Sequence, residues 1–353
     1  MKMRKIVCSF MISVVCFVTA ISGVSATSYD TSKINAAYSK VVEYYKNNNN
    51  LNNADKILAV ESLGLEAESN QFDTSSANLS STSLSKKIVT EVLLGVDPTE
   101  DKETLESQID ENGNVEGSWG TSSDVWTLYA LYVTSSEKTN LIANKLNDEL
   151  AASSVCGYEW GGTYYADYDT TGWVIEGLAV VNKEKYATTI NKAIDYIKNN
   201  TTMTTTGWVT ADNVDTQSQV LEGMFAYDTN SLLNDSYTIH PIDCLLNTQL
   251  SDGSFPSSYN AEYTTAEVAK TLGTYKNGSV IIKAKKAYDK MMNPEQPTDT
   301  KKDSQSTNKV ETTNQKTTSV KTGDETNVVI FVSLSMVSGG LFLVLRKEYE
   351  RAH

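Results

Sequence analysis

Apolar residues between about positions 30 and 292 recur at intervals of three and four, the spacing of one face of an α-helix. Val174, Ile175 and Leu178 follow this spacing, whereas alternating strand patterns are scarce. The pattern predicts an all-α domain. We expect its helices at 31–47, 54–67, 80–95, 121–135, 137–153, 170–182, 184–200, 214–228, 240–250, 261–275 and 279–292.

An internal repeat runs through this helical body. Four predicted helices follow a glycine and an aromatic residue, and these aromatic residues lie 41, 48 and 47 residues apart: Trp119, Trp160, Trp208 and Phe255. Such a period is long enough for two helices and their connections. Five helices share one template, and the residues at one of its positions are Glu61, Tyr129, Glu176, Glu222 and Lys270.

Three features carry a resemblance to a known repeat: the glycine–aromatic turns, Asp167-Tyr168-Asp169-Thr170-Thr171 before a helix, and the run at 249–255, Gln-Leu-Ser-Asp-Gly-Ser-Phe. Together they resemble the repeat of squalene cyclases and prenyltransferases, well over about 110–290 and poorly over 30–110. In that family, paired helices form an α/α toroid, with an inner ring around a cavity and an outer ring outside it. The resemblance therefore implies an α/α toroid over residues 27–292, with the five template helices in the inner ring.

The first 26 residues have the pattern of a secretory signal peptide. Lys2, Arg4 and Lys5 precede an apolar run at 6–18, and small residues end the segment at 24–26. We therefore expect export of the chain, with a retained membrane helix as the alternative.

At the other end, residues 328–345 are uncharged and a basic tail follows at 346–353. This pattern predicts a transmembrane helix with a cytoplasmic tail and the main body outside. The segment before it, 293–327, has no aromatic residue and few aliphatic ones, so it should be a disordered stalk.

The motif at 319–324, Ser-Val-Lys-Thr-Gly-Asp, completes a pattern of Thr-Gly pair, apolar span and basic tail. This pattern resembles the LPxTG-like sorting signal of Gram-positive surface proteins, although the usual Leu-Pro is replaced by Ser319-Val320. The resemblance implies that a sortase cuts between Thr322 and Gly323 and links Thr322 to the cell wall. A single-pass membrane anchor is the alternative, and both place the domain at the cell surface.

The chain is acidic, with 44 acidic and 30 basic residues. The signal peptide carries three basic residues, and the segment after Thr322 has one more acidic than basic residue. Residues 27–322 therefore have a net charge of −16. This charge argues against nucleic acid as a partner, because phosphate binding requires clustered basic side chains.

Asp167 and Asp169 are the candidate catalytic residues if the chain is an enzyme. They match the first two carboxylates of the Asp-x-Asp-Asp motif that protonates the substrate in triterpene cyclases, but Thr170 replaces the third. A proton donor needs its pKa raised by burial or by another carboxylate. The alternative is architectural: Asp169 and Asp215 would each cap the amino terminus of a helix.

The candidate ligand-binding residues are aromatic and acidic. Three tyrosines lie close together in a short polar segment that a hydrophobic core would not need, and three glutamates share the template position. Such carboxylates could converge on a glycan or a cation, or form the solvated edge of each helix. The repeat tryptophans are expected to wedge between helix pairs. The candidate set is Tyr164, Tyr165, Tyr168, Asp169, Glu176 and Glu222, with Glu61 at the equivalent position.

Histidine and cysteine are too scarce for a metal centre. Of the two histidines, only His240 lies in the domain, and Asp243 and Cys244 do not have the spacing of the prenyltransferase zinc site. We expect no metal and no cofactor, with His240 in the first turn of a helix. Cys156 and Cys244 are the candidates for a disulfide.

These features favour a non-catalytic, surface-anchored module that holds an extracellular small molecule, glycan or protein in or near the toroid cavity. Transcobalamin-type cobalamin binders have a similar helical toroid, so a corrinoid is one candidate on fold analogy alone. Two other interpretations stay open: a terpenoid cyclase-like or glycan-active enzyme, and a passive adhesin or display protein.

Overall fold

The computed structural model describes residues 28–68, 79–201, 213–237 and 239–294, which fall in one compact unit. These residues are mostly helical, which confirms the all-α prediction. The helices are α1 (Thr31–Asn47), α2 (Ala54–Ser62), α3 (Ser81–Leu93), α4 (Thr99–Ser107), α5 (Thr121–Val133), α6 (Thr139–Ser153), α7 (Tyr168–Asn200), α8 (Val214–Asn234), α9 (Pro241–Leu246), α10 (Ala261–Asn277) and α11 (Val280–Met292). One hairpin, β1 (Gly157–Trp160) and β2 (Thr163–Ala166), precedes α7.

Most of the expected features at the chain ends lie outside the described residues. This applies to the signal peptide at 1–26, the stalk beyond Pro294, the sorting motif with Thr322 and Gly323, the span at 328–345 and the tail at 346–353. Among the helices of the described ranges, none has the length and apolar character that a membrane span requires.

Short polar side chains set where several helices begin. Asn53, Ser80 and Asn260 each accept a hydrogen bond from the amide three residues further on, at 3.0, 3.3 and 3.1 Å. Each bond satisfies a backbone donor that the first turn of a helix leaves without a partner. The predicted starts of α2, α3 and α10 therefore agree with the structure to within one residue.

Two long helices contain a break. Asn182 in α7 and Asp228 in α8 have extended backbone dihedrals, and each side chain accepts a hydrogen bond from the amide three residues on. Each break therefore starts a second helix. The predicted helices at 170–182 and 184–200 meet at the first break, whereas the short segment after Asp228 was not predicted. Helix α4 was also missed, because its sequence is polar and only Leu105 is buried.

The helices contact one another in a sequential order. α2 contacts α3, α3 contacts α5, α5 contacts α7, α7 contacts α8 and α8 contacts α10. The last of these, α10, packs against α2 again, and α11 lies against α2, α3, α5 and α10. The order of contacts therefore returns to its starting helix.

Glycine allows the closest approach between α7 and α8. A Cβ atom on Gly223 would lie 2.3 Å from the carbonyl oxygen of Gly172, and one on Gly172 would lie 2.4 Å from the carbonyl oxygen of Gln219. Neither distance is compatible with a side chain unless the backbone moves. The pair therefore fixes the spacing of these two helices.

We expect Gly223→Ala to lower the free energy of unfolding by about 2 kcal/mol, because the added methyl group meets backbone. Gly177→Ala is the matched control, since Gly177 occupies the same template position but faces only side-chain atoms, the nearest 3.1 Å away on Leu128. Urea denaturation of both variants measures the difference. Equal stability of the two variants would contradict the proposed backbone contact.

Candidate functional site

The template position that carries the repeated glutamates lies in the interior. Glu61, Glu176 and Glu222 are all buried, so they are not the solvated edge of their helices. Tyr129 and Lys270, at the same template position of α5 and α10, are buried as well. The shared template position therefore holds acidic, basic and aromatic side chains, all of them buried.

Lys270 is the cation of this centre. Its ammonium nitrogen lies 3.0 Å from a carboxylate oxygen of Glu267 and 3.8 Å from one of Glu222. Its side chain is 3% exposed, against 0% for Glu267 and 1% for Glu222. We call Tyr129, Glu176, Glu222, Glu267 and Lys270 the central cluster.

Glu176 is held by hydroxyl groups on both sides. The Tyr129 hydroxyl donates to its Oε2 atom at 3.0 Å, and the Ser279 hydroxyl donates to its Oε1 atom at 2.6 Å. Glu222 accepts from the Thr274 hydroxyl at 3.3 Å. The central cluster is thus tied to α11 through Ser279.

Burial dominates the proton affinities in the central cluster. It raises the pKa of Glu176 and raises that of Glu222 well above the ordinary value, and nearby carboxylates add to both effects. Burial alone would lower the pKa of Lys270, but the charges of Glu267 and Glu222 offset it, so that the pKa is raised. The lysine therefore stays charged, while Glu176 and Glu222 favour a bound proton more than an exposed glutamate does.

Glu61 lies apart from that arrangement. It accepts from the amide of Ala67 at 2.7 Å and pairs with the half-exposed Lys283 at 2.6 Å. It is therefore an ion pair between α2 and α11, whereas Glu176 and Glu222 lie in the centre.

The predicted caps of α7 and α8 are corrected by the structure. Asp167, not Asp169, caps α7, and its side chain accepts from the amide of Thr170 at 3.0 Å and from the Thr170 hydroxyl at 2.7 Å. Asp215 lies in the first turn of α8 and accepts a hydrogen bond from the Tyr259 hydroxyl. Both predicted caps are wrong by two residues, because the helices begin earlier than the repeat indicated.

Asp169 is left without a capping role. Burial, followed by the charges of Asp167, Asp215 and Glu267, raises its pKa to about 7. This is the environment that a carboxylic acid needs in order to donate a proton near neutral pH. Asp167, in contrast, is committed to the helix terminus.

The three candidate tyrosines lie at the hairpin and at the start of α7. Tyr164 and Tyr165 are both 44% exposed, whereas Tyr168 is partly buried. The Tyr165 ring stacks on that of Tyr158 at 5.6 Å between centroids. Tyr164 donates its hydroxyl hydrogen to the backbone carbonyl of Val155 at 2.8 Å. The hairpin thus presents aromatic surface to solvent.

The hairpin itself was not predicted, although the sequence contains its signal. Gly161 and Gly162 join the two strands, and both have positive φ angles, +59° and +80°. A Gly-Gly pair between aromatic residues is typical of a two-residue hairpin turn. The segment was interpreted as a polar loop because the surrounding pattern was helical.

The prediction for the repeat tryptophans was wrong at Trp119, which is 86% exposed and forms no core wedge. The side chains of Trp160 and Trp208 lie outside the described residues. Phe255, the fourth aromatic of the series, is fully buried as expected of a wedge. Tyr259, which the sequence analysis did not choose as a ligand residue, is 64% exposed.

The exposed aromatic residues share one end of the fold. Contacts between α8 and α10 advance together along both helices, from Asp215 with Tyr259 through Gln219 with Tyr263 to Glu222 with Lys270, so these helices run in the same direction. The same holds for α5 and α7, where Trp126 contacts Trp173 and Tyr129 contacts Glu176. The exposed aromatics precede the amino termini of α5, α7 and α10. We call this end the aromatic face and define it by Trp119, Tyr158, Tyr164, Tyr165 and Tyr259.

Cys156 and Cys244 are both buried and are not disulfide-bonded. Burial raises the pKa of both thiols, that of Cys156 to about 12. His240 caps α9 through its Nδ1 atom, which accepts from the amide of Ile242 at 3.3 Å. Within the described ranges, no group of three or more histidine, cysteine or acidic residues could hold a metal ion.

Comparisons with protein-family models, with curated proteins and with solved structures find no match to this chain.

We expect Lys270→Met to lower the free energy of unfolding by about 3–5 kcal/mol at pH 8, because two buried carboxylates lose their counter-ion. The loss should shrink at pH 5, because burial raises the pKa of Glu222 and a protonated Glu222 needs no counter-ion. Lys283→Met, which removes only the half-exposed partner of Glu61, should cost about 1 kcal/mol or less. Urea denaturation at both pH values measures this, and equal losses in the two variants would count against the central role of Lys270.

Because the pKa of Asp169 is raised in the folded state, the free energy of unfolding should fall as the pH rises. Its native pKa of about 7 lies above the ordinary value of 3.8, so the folded state binds the extra proton between these values. Asp169→Asn should therefore remove a pH-dependent loss on the order of 2 kcal/mol between pH 4 and pH 7.5. Denaturation curves of the wild type and of Asp195→Asn, an exposed acid on the same helix, provide the comparison. Parallel pH profiles of wild type and Asp169→Asn would refute the assignment.

Proposed function

We propose that this chain is a cell-surface-anchored extracellular module that binds a ligand at its aromatic face without chemistry of its own. The proposal includes an α/α toroid as the finer description of the helical body. Two observations support the toroid: the helices contact one another in an order that returns to α2, and equivalent template positions meet at the centre.

The ligand is expected at the aromatic face and not deep in the ring. The central cluster fills the interior with paired, buried side chains, which leaves little room for a ligand there. Glu176 and Glu222, proposed as ligand residues from the sequence, are then structural. Tyr164, Tyr165 and Asp169 keep their proposed role because they lie at the accessible end.

The exposed aromatic rings are the observation that carries this proposal. Large aromatic side chains are costly to leave in water, and a group of them on one face is typical of a contact surface. Trp119 and the Tyr158–Tyr165 stack offer flat apolar surfaces, and tyrosine hydroxyls offer hydrogen bonds. A spacer or passive display domain has no need for these rings.

Surface anchoring rests on the sequence of the two chain ends. The signal-peptide pattern at 1–26 and the Thr322-Gly323 motif before the apolar span support export followed by covalent or membrane anchoring. In that arrangement the polar stalk holds the helical body away from the envelope, and the aromatic face is available to extracellular partners.

A second candidate is an acid-catalysed enzyme. The pKa of about 7 at Asp169 favours it, since a carboxylic acid that is protonated near neutral pH can act as a general acid. Asp167 would be a positioning residue through its cap on α7. Conversion of a polyprenyl substrate by the wild type, with loss in Asp169→Asn, would favour this candidate over binding alone.

The main proposal predicts that a ligand raises the melting temperature of the full-length chain through the aromatic face. Cobalamin, soluble glycans and isoprenoid diphosphates are the probes, because tight binding to the native state must stabilise it. Trp119→Ala combined with Tyr165→Ala should abolish the shift while leaving the unliganded melting temperature unchanged, because both side chains are exposed. Met292→Ala, an exposed apolar side chain at the end of α11, is the control and should keep the shift.

Two results would contradict the proposal. One is a ligand-induced shift that survives the double substitution at the aromatic face. The other is the absence of a shift with every class of probe, which would favour a passive adhesin.

A further inference from the structure

Buried oxygen atoms without a donor lie between the aromatic face and the central cluster. Gln219 is 1% exposed, and its amide nitrogen donates to the Tyr263 hydroxyl at 3.2 Å and to Glu267 Oε2 at 3.1 Å. The Oε1 atoms of Gln219 and Glu267 are both buried and accept no hydrogen bond. Since buried acceptors are normally paired, these two oxygen atoms could each accept a hydrogen bond from a donor outside the chain.

The same region has an excess of negative charge. Asp169 lies near enough to Asp215 and Glu267 for both charges to raise its pKa. The ammonium group in contact with Glu267 is that of Lys270, which Glu222 shares. Lys270 thus serves both Glu267 and Glu222, while Asp169 and Asp215 lie in the first turns of α7 and α8, two helices whose backbones meet at Gly172 and Gly223.

Aromatic rings border the carboxylates on the outside. The rings of Tyr259 and Tyr263 are 6.2 Å apart between centroids, and the Tyr259 hydroxyl donates to Asp215. Tyr263 also accepts from Gln219, so it connects the exposed ring with the buried acceptors. Faces of tyrosine attract cations, and the attraction grows when the cation is partly desolvated.

We infer that the ligand presents a primary ammonium group, which binds beside Asp169 and Asp215 against the ring of Tyr259. The inference rests on the proposed function and specifies its ligand class. An ammonium group brings three donors, which the Oε1 atoms of Gln219 and Glu267 lack, and a positive charge that Asp169 and Asp215 attract. A neutral glycan brings no charge, and an anionic ligand is repelled by the net charge of −16 that residues 27–322 carry.

Cadaverine is the test probe, and 1,5-pentanediol is its neutral counterpart of equal length. In titration calorimetry with the full-length chain at pH 8, cadaverine should bind saturably and at least tenfold more tightly than the diol. Raising the salt concentration should weaken the binding of cadaverine but not that of the diol, because the attraction of cadaverine is electrostatic.

Variants locate the site. Asp169→Asn and Asp215→Asn should each weaken cadaverine binding at least tenfold, whereas Asp195→Asn, an exposed acid distant in sequence on α7, should leave it unchanged. Circular dichroism and the melting temperature show whether each variant is folded. If neither aspartate variant folds, the comparison of cadaverine with the diol on the wild type still tests whether binding requires the ammonium group.

Three results would overturn the inference: no binding of cadaverine, equal binding of the diol, or undiminished binding by a folded Asp169→Asn variant. These outcomes are distinct from failure of the proposed function. A neutral probe that binds through Trp119 and Tyr165 while cadaverine does not would leave the aromatic face as a binding surface and remove only its ammonium specificity.

Discussion

The buried ammonium group of Lys270 is the interaction on which the centre of this fold depends. A carboxylate buried in a packed interior needs either a bound proton or a cationic partner, and Lys270 is the ammonium group that Glu222 and Glu267 share. Lys270 also lies 5.5 Å from the centroid of the Trp126 ring. At the template position, α10 carries Lys270 whereas α7 and α8 carry Glu176 and Glu222. The positive charge of one repeat unit therefore offsets the negative charge of its neighbours.

This chemistry requires helices that approach closely. Gly172 and Gly223 bring the backbones of α7 and α8 into contact, and the Thr271 hydroxyl of α10 donates to the carbonyl of Ser218 on α8 at 2.8 Å. Where α7, α8 and α10 meet, small residues therefore take the place of large apolar side chains. Close backbone contact leaves the centre only as wide as the side chains of the template position, so those side chains meet.

The sequence predicted the helical body and the shared register, because both depend on periodicity that local residues determine. It could not predict that Lys270 would pair with Glu222, since this pairing depends on which helices become neighbours. The predicted caps, Asp169 and Asp215, lie two residues after the observed ones, Asp167 and Asn213. The repeat spacing alone does not distinguish Asp167 from Asp169 as the cap of α7. Trp119 was expected, with the other repeat tryptophans, to wedge between helix pairs, yet it is exposed whereas its repeat equivalent Phe255 is buried. The two turns differ in exposure despite similar sequence, which only tertiary packing decides.

The central cluster occupies the interior of the fold, whereas the aromatic face is accessible to solvent. An empty, apolar centre would favour an enclosed apolar ligand. Here the space at the template position is occupied by charges that need one another, and removing them to admit a ligand would expose buried carboxylates. The turns before the template helices have no such constraint, since Trp119 and the Tyr158–Tyr165 stack project from a rigid scaffold into solvent. These turns can therefore vary in sequence without disturbing the contacts of Lys270.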